Sequence, residues 1–158
     1  VHDDEPWVHR LMQVIRDIRA KGQPVFGACF GHQAIAKALG GKVEKNPGGW
    51  VFGLAETQME GAPIRLYAAH VEQVTQLPDG AEALGGNEEC PVGAYRIGTR
   101  VLTTQYHPEI TEEFATALVA EYQDKLPPLV AMAAKASLDR PAETQRMAQR
   151  IVDFFEAG

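Results

Sequence analysis

A thiol becomes a strong nucleophile once a base removes its proton, and that base works best when a third group holds it in place. The chain carries two cysteines, Cys29 and Cys90, and five histidines. Cys29 sits in Gly27-Ala28-Cys29-Phe30-Gly31, a G-x-C-x-G pattern. An apolar run, Pro24-Val25-Phe26-Gly27-Ala28, precedes it, and a helix-patterned stretch follows. This is the nucleophile-elbow arrangement with Cys in the place of Ser. A sharp turn from strand to helix pushes the side chain out above the sheet edge. It also crowds the neighbouring positions, which calls for small residues at Gly27 and Gly31. The sulfur then lies at a helix N-terminus, among partial positive charge and free N–H groups that suit an anionic nucleophile. The Phe30 N–H is positioned for a developing oxyanion. The same pentapeptide also fits plain close packing, since cysteine is among the most buried residue types.

The base must come from elsewhere in the chain. His2 and His9 belong to an exposed helix face. His32 is three residues after Cys29, either reaching toward the site or lying half-exposed on its helix. His70 ends a strand-like run at Ala68-Ala69-His70-Val71. His107 is distinctive because it follows the strand pattern Val101–Gln105 and precedes Pro108-Glu109. The C-terminal end of a strand is where α/β proteins gather their chemistry. Pro108 stiffens the turn, and Glu109 can come back to orient the imidazole, as the acid does in a Ser-His-Asp triad. Cys90, in Glu88-Glu89-Cys90-Pro91, has two acidic neighbours that disfavour a thiolate and is expected to be inert.

Gly-Ala-Cys-Phe-Gly-His-Gln (27–33), Ala38-Leu39-Gly40-Gly41 and Gln-Tyr-His-Pro-Glu (105–109) together resemble the class I glutamine amidotransferases. The separation of 78 residues between Cys29 and His107 fits as well. The stretch His70-Val71-Glu72-Gln73-Val74 with Leu77-Pro78-Asp79-Gly80 is most similar to the glutaminase domain of GMP synthases and its free-standing relatives. The resemblance covers roughly residues 5–115. It implies Cys29 as nucleophile, His107 as acid/base, Glu109 as its orienter and the Phe30 N–H as an oxyanion donor. It implies a glutamine pocket formed by Gln33, Gly31, His70 and Val71, with Gln33 at the α-amino and carboxylate end. The substrate implied is glutamine, and the possible partner is an ammonia-accepting synthetase subunit. Two other functions stay open: a γ-glutamyl hydrolase with the same Cys-His chemistry, and a non-catalytic regulatory subunit that keeps the fold.

The fold implied is α/β, a three-layer, mostly parallel open sheet of the flavodoxin-like type. Its N-terminal strands, with a second oxyanion loop, are expected to be missing here, and extra C-terminal helices to be present. The residue pattern supports the α/β order by itself. Val8, Leu11, Ile15 and Ile18 make one face of a helix over 4–21, with Asp4 as N-cap and Gly22 as stop. Residues 24–28 read as a buried strand and 30–39 as the elbow helix. Strands are expected at 50–57, 64–69, 94–97 and 101–105, with turns at 46–49, 61–63, 78–80 and 85–87. Helices follow from 111, at 129–137 and at 142–156. The reading is one domain over 1–158, its C-terminal helical part spanning 111–158.

Composition narrows the setting. The 158 residues are 45% apolar and 23% charged, with a net charge of −6. That balance fits a folded core rather than a disordered segment. The acidic excess argues against nucleic acid as a partner. No apolar run reaches the roughly 18 residues of a membrane span, and the first residues carry no signal pattern. A cytoplasmic location is expected, with both cysteines reduced. The absence of C-x-x-C argues against a thiolate metal site. No P-loop or dinucleotide fingerprint is present, and no cofactor is expected.

Overall fold

The computed structural model describes Val1 and residues 4–157. In chain order the elements are α1 (Pro6–Ala20), β1 (Val25–Ala28), α2 (Phe30–Ala38), β2 (Lys42–Lys45), β3 (Val51–Met59), β4 (Ala62–His70), β5 (Glu72–Gln76), β6 (Ala81–Gly85), β7 (Ala94–Ile97), β8 (Val101–Thr104), α3 (Glu112–Tyr122), α4 (Pro128–Ser137) and α5 (Thr144–Glu156).

The central sheet has the order β1-β8-β7-β6. It is mixed. β1 and β8 run parallel, while β7 and β6 complete the sheet antiparallel. The parallel pair is the one that leads into both candidate motifs. α1 and α2 cover one face, through Val8, Met12, Ile15, Ala34 and Ile35 against Tyr95, Ile97 and Val101. On the other face Leu102 and Ala94 pack with Ile64 and Leu66 of β4 and Met147 and Phe154 of α5. Side chains along β8 therefore alternate between two buried layers, as a central strand requires.

β3 and β4 form a long hairpin whose two-residue turn is Glu60-Gly61, both at positive φ (52° and 82°). Such a turn matches the twist of its strands. The break expected at 61–63 thus falls one residue earlier, and Pro63 lies within β4. α4 crosses β3 at Gly53, where a Cβ would meet Ser137 Oγ at 2.6 Å and Ala134 Cα at 2.8 Å. Ser137 Oγ also accepts from the Leu54 N–H at 2.8 Å. The C-terminal helices thus cover the hairpin and the sheet.

Two local expectations change. The N-cap of α1 is Glu5, not Asp4. Asp4 instead accepts from His9 Nε2 at 2.7 Å. β2, β5 and β6 are strands that the residue pattern did not single out. α3 begins with a true cap, Thr111 accepting from the Phe114 N–H, and Glu112 and Glu113 complement the helix dipole. His2, expected on an exposed face, lies outside the described residues.

Candidate active site

Cys29 stands between β1 and α2 at φ 47°, ψ −103°, a strained conformation for a residue with a Cβ. Its N–H donates to Thr104 O at 2.9 Å, and its carbonyl accepts from the Gln33 N–H at 3.1 Å. The elbow is thus tied to β8 on one side and to α2 on the other. Gly27 makes it possible, since a Cβ there would sit 2.7 Å from both Gly31 C and Ile35 Cδ1. The crowding expected at Gly31 is not found, because a Cβ there would have nothing within 4 Å. Phe30 opens α2, so its N–H is one of the donors that a helix cannot satisfy internally. Its half-exposed ring leans on Trp7 of α1 with centroids 5.9 Å apart.

The register of the parallel pair puts Ala28 beside Thr104. Cys29 and Gln105 therefore leave adjacent strand ends together. His107 lies three residues beyond β8 and is held by another element. Its N–H donates to Tyr67 O at 2.8 Å, in an isolated bridge to β4. Its Nδ1–H donates to Glu109 Oε1 at 2.6 Å. Burial alone would lower the His107 pKa. Hydrogen bonding and electrostatic attraction to Cys29 and Glu109 together outweigh burial and raise it to about 9. His107 is thus held from two sides, by the backbone of β4 and by the Glu109 carboxylate.

Gln33 and His70 share one acceptor, the Glu72 carbonyl. Gln33 is buried, and both its amide hydrogens are committed: one to Glu72 O at 2.8 Å, one to Gln105 Oε1 at 3.1 Å. His70 is buried, and its Nδ1–H donates to the same Glu72 carbonyl at 3.0 Å. Its Nε2 is therefore an acceptor, and among the described residues it has no partner. Burial, followed by the charge of His107, pushes its pKa down to about 4. Val71 O accepts from the Asn46 N–H at 2.8 Å.

His32 follows neither of its two expected courses. It is fully buried under α2, where Nδ1 donates to Thr103 Oγ1 at 2.8 Å and the ring lies 4.8 Å from that of Tyr95. Burial and, secondarily, His70 lower its pKa to about 3, so it pins helix to sheet as a neutral group. Cys90 is buried, and burial pushes its thiol up to about 12. The acidic neighbours expected to dominate there are a lesser cause. Gln105 was missed among the candidate residues. It is fully buried, and its Nε2 donates to Cys29 Sγ at 3.6 Å. Its place in the Gln-Tyr-His-Pro-Glu spelling was the only available signal.

The family model "Glutamine amidotransferase class-I" matches residues 2–121. A glutamine amidotransferase-like protein of Schizosaccharomyces pombe is 30% identical over 126 residues, 73% of this chain and 51% of that one. A GMP synthase (glutamine-hydrolyzing) of Azoarcus sp. is 33% identical, over 70% of this chain and 24% of the synthase. Gamma-glutamyl peptidase 3 of Arabidopsis thaliana is 28% identical, over 73% and 53%. Among solved structures, a glutamine amido transferase from Methylobacillus flagellatus superposes with a TM-score of 0.68 at 28% identity, over 80% of this chain and 53% of that one. The chain spans about half the length of the first curated relatives it matches. The α/β, flavodoxin-like fold is the one these neighbours share, and the match extends over most of the sequence. The chain belongs to the class I glutamine amidotransferase family.

Proposed function

We propose that this chain hydrolyses the side-chain amide of glutamine, giving glutamate and ammonia. The supporting observation is the His107–Glu109 contact of 2.6 Å beside the strained elbow at Cys29. The Cys29 thiolate attacks the carboxamide carbon, and the oxygen takes the negative charge against the Phe30 N–H. The tetrahedral species collapses as His107 gives its proton to the departing nitrogen, which leaves as ammonia. A glutamyl thioester remains on Cys29. Water then attacks the acyl carbon while His107 takes one of its protons. The thiolate leaves, and glutamate is released. Glu109 holds the imidazole through both steps. Gln33, Gly31, His70 and Val71 line the glutamine pocket in this reading. The neutral Nε2 of His70 supplies a buried acceptor that suits an ammonium or amide donor.

The ammonia acceptor is proposed to be a separate synthetase subunit, by analogy with the GMP synthase relative, in which the matched part is about a quarter of the chain. Residues 1–158 are read as one domain acting in the cytoplasm. Among the described residues, no helix is long and apolar enough to cross a membrane.

The test is labelling with a diazo-ketone analogue of glutamine. Cys29 is expected to be labelled and Cys90 spared, and Cys29→Ala is expected to release no ammonia. A folded protein left unlabelled at Cys29 would favour a non-catalytic subunit instead. The peptidase relative motivates a second substrate class, γ-glutamyl peptides. Turnover of a γ-glutamyl dipeptide far above that of glutamine would replace the leading reading with that one.

A further inference from the structure

We propose that Gln105 is a positioning residue for the nucleophile: its side-chain amide, locked in one orientation by Gln33, donates to the Cys29 sulfur and holds it within reach of His107. The proposal rests on the reading of Cys29 as nucleophile.

A buried amide must spend its donors and its acceptor, and Gln105 is fully buried. Its Oε1 accepts from Gln33 Nε2 at 3.1 Å, and its Nε2 faces Cys29 Sγ at 3.6 Å. The second of these is an ordinary length for a donor on sulfur. The orientation is not free to reverse. Both hydrogens of Gln33 Nε2 are already directed, one at Glu72 O and one at Gln105 Oε1. Flipping Gln105 would set two NH₂ groups against each other and turn an acceptor toward the sulfur. Gln33 Nε2 thus donates to the Glu72 carbonyl and to Gln105 Oε1, and Gln105 Nε2 donates in turn to the Cys29 sulfur. The β1–β8 register brings the two residues side by side, since Cys29 and Gln105 directly follow the paired Ala28 and Thr104.

The chemical effect follows from where the charge sits. The sulfur is negative when it attacks and neutral once it is acylated. A donor aimed at it acts in the attacking state and relaxes in the thioester. A single side-chain rotamer is also selected, on a backbone whose strain already restricts the choice. Gln33 then acts through Gln105 as well as at the pocket proposed for substrate.

Two variants of the full chain test this. Gln105→Glu keeps the shape and the acceptor for Gln33 but replaces the N–H by oxygen. Gln105→Met is neutral, of similar length and has no donor. Alkylation of Cys29 by iodoacetamide, which needs no recognition of glutamine, is expected to slow about tenfold or more in both, the scale of a lost bond to a charged group. kcat for glutamine should fall with it, with KM within about twofold. Either variant, folded and alkylating at the wild-type rate, overturns the proposal. If neither folds, the wild-type protein decides. The Gln105 side-chain amide proton resonances are expected to move when Cys29 is alkylated, and resonances that stay in place overturn the proposal. Gln105-dependent alkylation in a chain that turns over no glutamine would defeat the glutaminase reading and leave this one standing.

Discussion

Cys29 keeps a side chain where the backbone would accept glycine more readily, at φ 47°. Conformations of this kind cost about 1–3 kcal/mol and persist where surrounding contacts impose them. Here the contacts are the bonds to Thr104 O and from the Gln33 N–H, together with the tight approach at Gly27. Cys29→Gly should therefore be more stable than wild type by about 1 kcal/mol, although it removes the reactive group. Urea unfolding monitored by circular dichroism measures this, and a less stable variant would refute the strain argument. A more stable Cys29→Gly would support the proposed functional role of Cys29 over a packing role.

At the scale of elements, the elbow depends on how closely α2 approaches β1. Gly27→Ala would push a methyl group into Gly31 C and Ile35 Cδ1, backbone on one side and core on the other. Overpacking of that kind costs about 1–3 kcal/mol, and it should also slow Cys29 alkylation by displacing the turn. Gly31→Ala has open space and should fold with stability within about 0.5 kcal/mol of wild type. Equal losses in thermal stability for the two variants would contradict this account. The elbow strand and helix were legible in the sequence because an apolar run, a G-x-C-x-G turn and a helical period follow one another directly. The His107-Pro108-Glu109 motif was legible for the same local reason. The bridge from His107 to Tyr67 was not, since no local pattern announces which distant strand will hold a loop. β2, a four-residue strand with three exposed positions, also escaped, because its pairing with β5 is decided by tertiary contact. His32 was misread because helical position alone does not say that its face meets Thr103 and Tyr95.

Across the whole molecule, three buried or half-buried histidines set the pH response. His32 and His70 titrate at about 3 and 4 in the folded chain, against 6.5 when unfolded. Below pH 6.5 the unfolded chain binds protons that the native one refuses, so stability falls as the pH drops toward 4. His107 moves the other way, to about 9. Its contribution is complete below 6.5 and is lost as the pH rises through 9. Stability should therefore peak near pH 6.5. The limiting slope is about 1.4 kcal/mol per pH unit for each proton involved. Urea midpoints measured between about pH 5 and 9 test this. His70→Gln should flatten the acid limb and His107→Gln the alkaline one. A profile flat across that range would show that these groups titrate alike in both states.

The pairing of β1 with β8 carries a consequence in time. Cys29 leaves the ribosome long before Gln105, His107 and Glu109, since His107 follows it by 78 positions. Until β8 docks beside β1, His107 is not held near the sulfur, and the elbow has its contacts to α2 but lacks its bond to Thr104 O. The nascent chain thus carries Cys29 for most of its synthesis without His107 beside it. The contact that completes the sheet is thus the same one that brings His107 to the elbow.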